Sequence, residues 1–136
     1  MRDLKSNINA ITLHASADNT STEVNSYAMD LQGFNAACIL VEVGTITVSG
    51  AGAVLPVLQE SADNSTWTAV TASEVIGAFT VLVTDTNQKI SYNGIKRYIR
   101  VHCGVTATVS AATYGILGVH ADTLTAAVAA FSAPVT

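Results

Sequence analysis

The sequence predicts an all-β chain, a two-sheet antiparallel β-sandwich of jelly-roll type with extended terminal arms. Three observations carry that prediction. Short runs rich in Val, Ile, Thr and Tyr recur along the chain, separated by clusters of Gly, Asn, Asp and Ser. No long amphipathic helical period interrupts them. Asn93-Gly94 stands between two strand-like runs and tolerates positive φ at both positions, the strongest short hairpin signal in the chain. Many short strands without helices bury their apolar faces as a sandwich or a barrel.

Taken in order, the predicted strands cover residues 8–15, 26–31, 36–43, 46–49, 54–61, 66–70, 80–83, 89–92, 98–103 and 106–119. The breaks are turn chemistry: "SADNTSTEVN" at 16–25, "GAG" at 50–52, "SADNS" at 61–65 and "TDTN" at 84–87. The C-terminal "HADTLTAAVAAFSAPVT" departs from the pattern. Asp122 is suited to cap a short Ala-rich helix over residues 123–131, and about ten helical residues are marginal alone. The alternative is an extended arm lying on a neighbour. The N-terminal "MRDLKSN" is a second arm, with Arg2 and Lys5. One domain over residues 1–136 is expected, with arms at about 1–7 and 120–136, no internal repeat and no linker.

The chain has 136 residues, enough for one domain with a proper core. Only 12% of them are charged, against roughly 25% in an ordinary soluble domain. So little charge points to surface buried against other subunits; the alternative is a monomer coated in Thr and Ser. The net charge is −4, whereas a general nucleic-acid binder is basic because it must neutralise phosphates. No nucleic-acid partner is expected. No apolar run approaches the ~18 residues of a membrane span, so no membrane is expected either. The first residues lack the apolar core of a leader, and the two cysteines are expected as reduced thiols made in a cytoplasm.

A search for chemistry returns little. His14, His102, His120, Cys38 and Cys103 show no paired metal-ligand spacing, and His102 and Cys103, adjacent on a strand, point to opposite faces. The cysteines are expected as small core residues and the histidines as surface or interface residues. There is no GxSxG elbow, and a thiol in an apolar strand is inert. Glu60, Asp63 and Asp85 flank turns and read as solvated carboxylates rather than a glycosidase pair. "GAGA" at 50–53 has neither the third glycine nor the context of a phosphate loop. The expectation is no enzyme, no metal and no cofactor. A carbohydrate-binding module remains an alternative on the strength of Trp67 and the tyrosines, although Trp67 reads better as a core plug.

One stretch stands out. "KISYNGIKRYIRVHC", residues 89–103, holds Lys89, Lys96, Arg97 and Arg100, four of the six Lys and Arg. Period-two alternation turns Ile99, Val101 and Cys103 inward and Tyr98, Arg100 and His102 outward. Arg100 then stands on the outer face, with Lys96 and Arg97 where the strand begins. They are either solvated or poised for a carboxylate-rich partner surface, to which Arg pairs in bidentate fashion.

Three segments carry a resemblance: "MDLQGFNAACILVEVG" (29–44), "LQESADNSTWTAV" (58–70) and "YNGIKRYIRV" (92–101). Together they resemble the capsid cement (decoration) proteins of tailed bacteriophages, of the podophage-like head protein family. Similar strands occur in phage tail and head–tail adaptor proteins. The resemblance implies a β-sandwich or jelly roll outside the shell, with no catalytic residues to transfer. The implied role is binding the major capsid protein across capsomer boundaries, as a homodimer or trimer, on the exterior of a virion assembled in a bacterial cytoplasm. On this reading Arg2, Lys5, Lys96, Arg97, Arg100 and Phe131 are the residues expected to touch partners.

Overall fold

The computed structural model describes residues 5–20 and 23–123. Eight strands form one antiparallel hydrogen-bonded network: β1 (Ile8–Asp18), β2 (Val24–Asn25), β3 (Met29–Asp30), β4 (Phe34–Ser61), β5 (Thr68–Ala69), β6 (Val75–Ile76), β7 (Asn87–Tyr92) and β8 (Tyr98–Thr123). The main order is β1-β8-β4-β7-β6, with β2 and β3 added to β8 and β5 to β4. Among the described residues, helix is limited to 3-10 turns at Lys5–Asn7 and Ala72–Glu74. No helix among the described residues is long and apolar enough to cross a membrane.

The all-β, antiparallel expectation holds, but the strands are fewer and longer than the turn signals implied. The three strands expected at 36–43, 46–49 and 54–61 are one strand, β4, of 28 residues. Those expected at 98–103 and 106–119 are one strand, β8, of 26 residues. β4 and β8 pair from Phe34↔Thr123 to Ser61↔Tyr98. The apparent breaks are bulges in this ribbon, at Val43/Ile46, Thr47/Val48 and Ser49/Ala53. Extra residues are absorbed there while pairing resumes on both sides. Gly50 (φ 61) and Ala107 (φ 51) supply left-handed residues at the deepest bulge. At Gly52 a Cβ would collide with the Thr108 carbonyl, so only glycine fits.

The bulges change which side chains face in. Ala37, Ile39, Val41 and Val43 are buried before them, Val54 and Leu58 after them. Odd positions give way to even ones. Along β8 the same change occurs, from Ile99, Val101 and Cys103 to Ala112, Tyr114 and Ile116. Both halves of the ribbon thus contribute to one apolar core together with Leu13 of β1 and Met29 of β3. A straight ribbon cannot do this; β4 and β8 bend over that core.

Backbone bonds hold the bend. Asp85 N–H donates to the Gly44 carbonyl at 2.8 Å, Val43 N–H to Thr86 at 3.0 Å, and Leu82 N–H to Val54 at 2.9 Å. The Thr84 hydroxyl both donates to and accepts from Ile46. Residues 80–83, expected as a strand, join no ladder. The Gln88 side chain takes both the N–H and the C=O of Thr80 and so replaces a neighbouring strand. On the far side, Ser26 N–H donates to Val101 and Tyr27 N–H to Leu13, each at 2.9 Å.

Two further expectations are corrected. Asn93-Gly94 is not a hairpin turn. Neither residue has positive φ, and β7 pairs with β4 and β6, not with β8. β7 lies along the start of β4 (Ala37↔Tyr92), whereas β8 begins beside its end (Ser61↔Tyr98), so residues 93–97 cross between them. Residues 120–123, expected in the C-terminal arm, belong to β8, which pairs through Thr123. The expected helix or arm beyond that point, with Phe131, lies outside the described residues, as does Arg2.

Candidate interaction surface

The three segments quoted above meet in space. Arg97, on the crossover, makes a bidentate ion pair with Asp30 of β3: Nε to Oδ1 at 3.0 Å and a terminal nitrogen to Oδ2 at 2.9 Å. Its guanidinium also lies 4.9 Å from the centroid of the Tyr98 ring. The bond from Arg97 holds the Asp30 carboxyl below the usual range and raises Arg97 in return. Arg100, on the outward face of β8 as the alternation predicts, donates Nε–H to Gln59 Oε1 at 2.8 Å and covers the Trp67 ring at 4.4 Å. Partial burial lowers its pKa. Tyr92 donates its hydroxyl to Glu60 Oε2 at 2.5 Å and accepts the Lys96 backbone N–H at 3.0 Å. Burial and that carboxylate together push Tyr92 well above its ordinary pKa.

Two of the expected contact residues, Arg97 and Arg100, are therefore engaged within the chain, and the exposed Lys96 lies beside them. Lys5 stands apart in the first 3-10 turn, ahead of the Ile8↔Ala121 pair. Trp67 is neither core plug nor free platform. It is half-buried, and Arg100 occupies its face. Asp63, expected as a solvated turn carboxylate, organises its turn by accepting the N–H groups of Ser65 and Thr66 and the Ser61 hydroxyl. Those bonds lower its pKa.

Sequence reasoning missed the groove beside this cluster. It measures about 500 Å³ and runs between the turn at Leu31–Phe34 and the crossover, with Leu31, Phe34, Ala36, Tyr92 and Ile95 among its walls. Ile95 is 92% exposed, an apolar side chain standing in solvent on the rim. An isoleucine between "NG" and "KR" was the available signal. Beneath Phe34 lies His120, with ring centroids 3.5 Å apart. His120 was expected at the surface or an interface but is only 3% exposed, its Nδ1 has no hydrogen-bond partner, and burial lowers its pKa. A second hollow of about 330 Å³ lies over the outer face of β1, β8 and β4, walled by His14, Leu40, Glu42 and Leu117.

Reactive groups are not gathered in either hollow. Among the described residues no three His, Cys, Asp or Glu side chains come together. Cys103 is buried beside Tyr114, and burial pushes its thiol up to about 11, away from the thiolate a nucleophile needs.

Neither a protein-family model nor a curated protein matches the chain. Solved structures share its fold. The SPBc2 prophage-derived protein YomS aligns with a TM-score of 0.53 at 14% identity, over 85% of this chain and 93% of that one. A chain from a structure of Bacillus endospore appendages, described as a family of disulfide-linked pili, aligns with a TM-score of 0.50 at 18% identity, over 86% and 89%. At these identities the likeness is one of fold.

Proposed function

We propose that this chain is a non-enzymatic structural subunit that binds the exterior of a tailed-phage capsid and stabilises the shell. The observation that carries the reading is the meeting of the three resembling segments. Asp30 with Arg97, Glu60 with Tyr92, and Gln59 and Trp67 with Arg100 tie residues 29–44, 58–70 and 92–101 into one cluster. The stretches on which the resemblance was read thus form one connected region of this chain. A prophage-derived protein of the same fold supports it. So does the surface: charge-poor, with Tyr27, Ile76, Val83 and Ile95 all more than half exposed. Specific interfaces need area depleted in charge at the centre, not a deep pocket. Repeated weak contacts on a symmetric shell then add through effective concentration.

On this reading the partners are the major capsid protein and further copies of the chain. Co-sedimentation with expanded capsids tests it. The protein is expected to pellet with them in amounts that saturate at a fixed ratio to the shell protein. Protein that stays in the supernatant and sediments as a monomer would sink the proposal. Saturation at only a few copies per particle would instead favour a head–tail or tail component of the same fold. For a carbohydrate-binding role, Arg100 occupies one face of the half-buried Trp67, which leaves the exposed Tyr27 as the aromatic free to stack on a sugar.

A further inference from the structure

The long outer edge of the sheet is β1. The opposite edge, β6, has two residues and stops at Gly77, and β2, β3 and β5 are also two residues each. Edges are blunted in this way, or by charge, proline or a bulge, because a row of unpaired N–H and C=O groups invites another strand. Residues 8–12 of β1, "INAIT", carry none of these devices. The bulges of β1 begin only after Thr12.

The register shows which groups are left over. Asn19 N–H donates to the Ala112 carbonyl at 2.7 Å, so Ala112 turns its backbone to β1. From there to Ala121 the extra residues of the bulges lie in β1, not in β8, so Gly118 and His120 turn the same way and meet Ile11 and Asn9. Val43 N–H, turned to Thr86 beside β7, fixes the same phase through β4. The N–H and C=O groups of Ile8, Ala10 and Thr12 therefore point away from the sheet. Among the described residues no hydrogen bond reaches them from another element.

This free stretch is bounded at both ends. Ahead of it the 3-10 turn Lys5–Asn7 leaves the strand. After it Tyr27 N–H closes the edge by donating to the Leu13 carbonyl at 2.9 Å, and Tyr27 itself is 79% exposed. The two bounds are complementary about a two-fold axis. Laid antiparallel, with Ala10 on Ala10 and Ile8 on Thr12, two such edges exchange about six N–H···O bonds, since each of the three residues offers one donor and one acceptor. No charge lies within residues 8–12, so none is set against its like. Asn7 of the second copy then lies opposite Leu13, and the 3-10 turn of each copy comes beside Tyr27 of the other. A strand from an unlike partner would meet those bounds only by chance.

We propose that two copies of the chain join through residues 8–12 of β1, as an antiparallel pair about a two-fold axis at Ala10 that continues the sheet from one copy into the next. This rests on the reading of the chain as an assembled subunit and names the contact between copies. It also gives the exposed Tyr27 a neighbour.

Sedimentation and amide hydrogen exchange of the full chain test it. Wild-type protein should sediment as more than one copy at micromolar concentration. The amides of Ile8, Ala10 and Thr12 should exchange more slowly as concentration rises, while that of Ile11 is slow throughout. Ala10→Pro removes a donor that the chain's own sheet does not use, so it should weaken association about tenfold or more with melting near that of wild type. Ala10→Lys and Ala10→Glu keep the backbone and decide the matter should the proline variant fail to fold. Each alone sets like charges together at the axis and should weaken association about threefold or more, and an equal mixture should recover it, because Lys then faces Glu. A wild-type chain that stays single, amides that ignore concentration, a folded Ala10→Pro that associates like wild type, or a mixture no better than its parts would each overturn the proposal. Pairing without binding to capsids would leave this contact standing and sink the capsid role; capsid binding by a chain that stays single would do the reverse.

Discussion

At the scale of the residue, the cations of the basic stretch divide by what they touch. Lys89 and Lys96 remain exposed, whereas Arg97 and Arg100 are spent on Asp30, Gln59 and two aromatic rings. The Arg97–Asp30 pair is nearly half exposed on both sides, so it adds little to stability and declines with salt. Arg100 has the more readable role. Arg100→Ala should uncover the Trp67 ring, moving its fluorescence emission to longer wavelength and costing about 0.5–1 kcal/mol in urea denaturation. An unchanged spectrum would mean that the stacking is not held in solution. The outward placement of Arg100 was legible from period-two alternation. Its partners were not, because Gln59 and Trp67 reach it only after β4 and β8 pair in register.

At the scale of the element, the long strands depend on their irregularities. The Gly-rich stretch at 50–52 reads in sequence as a turn between short strands, and the same residues serve as a bulge inside a long one. Local chemistry cannot separate the two outcomes. Both use left-handed φ and close backbone approach, and the difference lies in whether a partner strand continues opposite. Here β8 does continue, with Ala107 across from residues 50–52. Gly52→Ala should therefore cost about 1–3 kcal/mol, because the new Cβ meets the fixed carbonyl of Thr108 rather than a side chain that can swing away. Gly50→Ala should cost only about 1 kcal/mol, from φ alone, since open space surrounds it. Urea midpoints in that order check the assignment; equal small losses would show that the bulge repacks freely.

At the scale of the whole molecule, stability should depend on pH through His120. Burial against Phe34 holds it below its ordinary value of 6.5, so the folded chain binds fewer protons than the unfolded one. Stability is then full above about pH 6.5 and falls as pH drops below it, until the folded form also protonates. The Asp30 carboxyl, depressed by Arg97, costs stability only at lower pH, from about 3.8 downward. The urea midpoint of the wild type should decline between pH 7 and 5, and His120→Gln should flatten that decline. The same slope in both proteins would assign it to other groups.

The sequence by itself determined the all-β class, the antiparallel habit, and which face of residues 98–103 turns inward. These follow from period-two alternation and β-branched composition, which act within a few residues. It also marked the turns at 61–65 and 84–87, where Asn64 and Asp85 do take positive φ. Tertiary structure alone decided that strands merge across bulges and that β7 joins β4 instead of closing a hairpin. It also brought Asp30 to Arg97, Glu60 to Tyr92 and Phe34 to Ile95 at one end of the molecule. The physical reason is common to all of these. Each pairing spans tens of residues and exists only once β4 and β8 bend over a shared core, and no local pattern in the chain encodes where that bend will bring its ends.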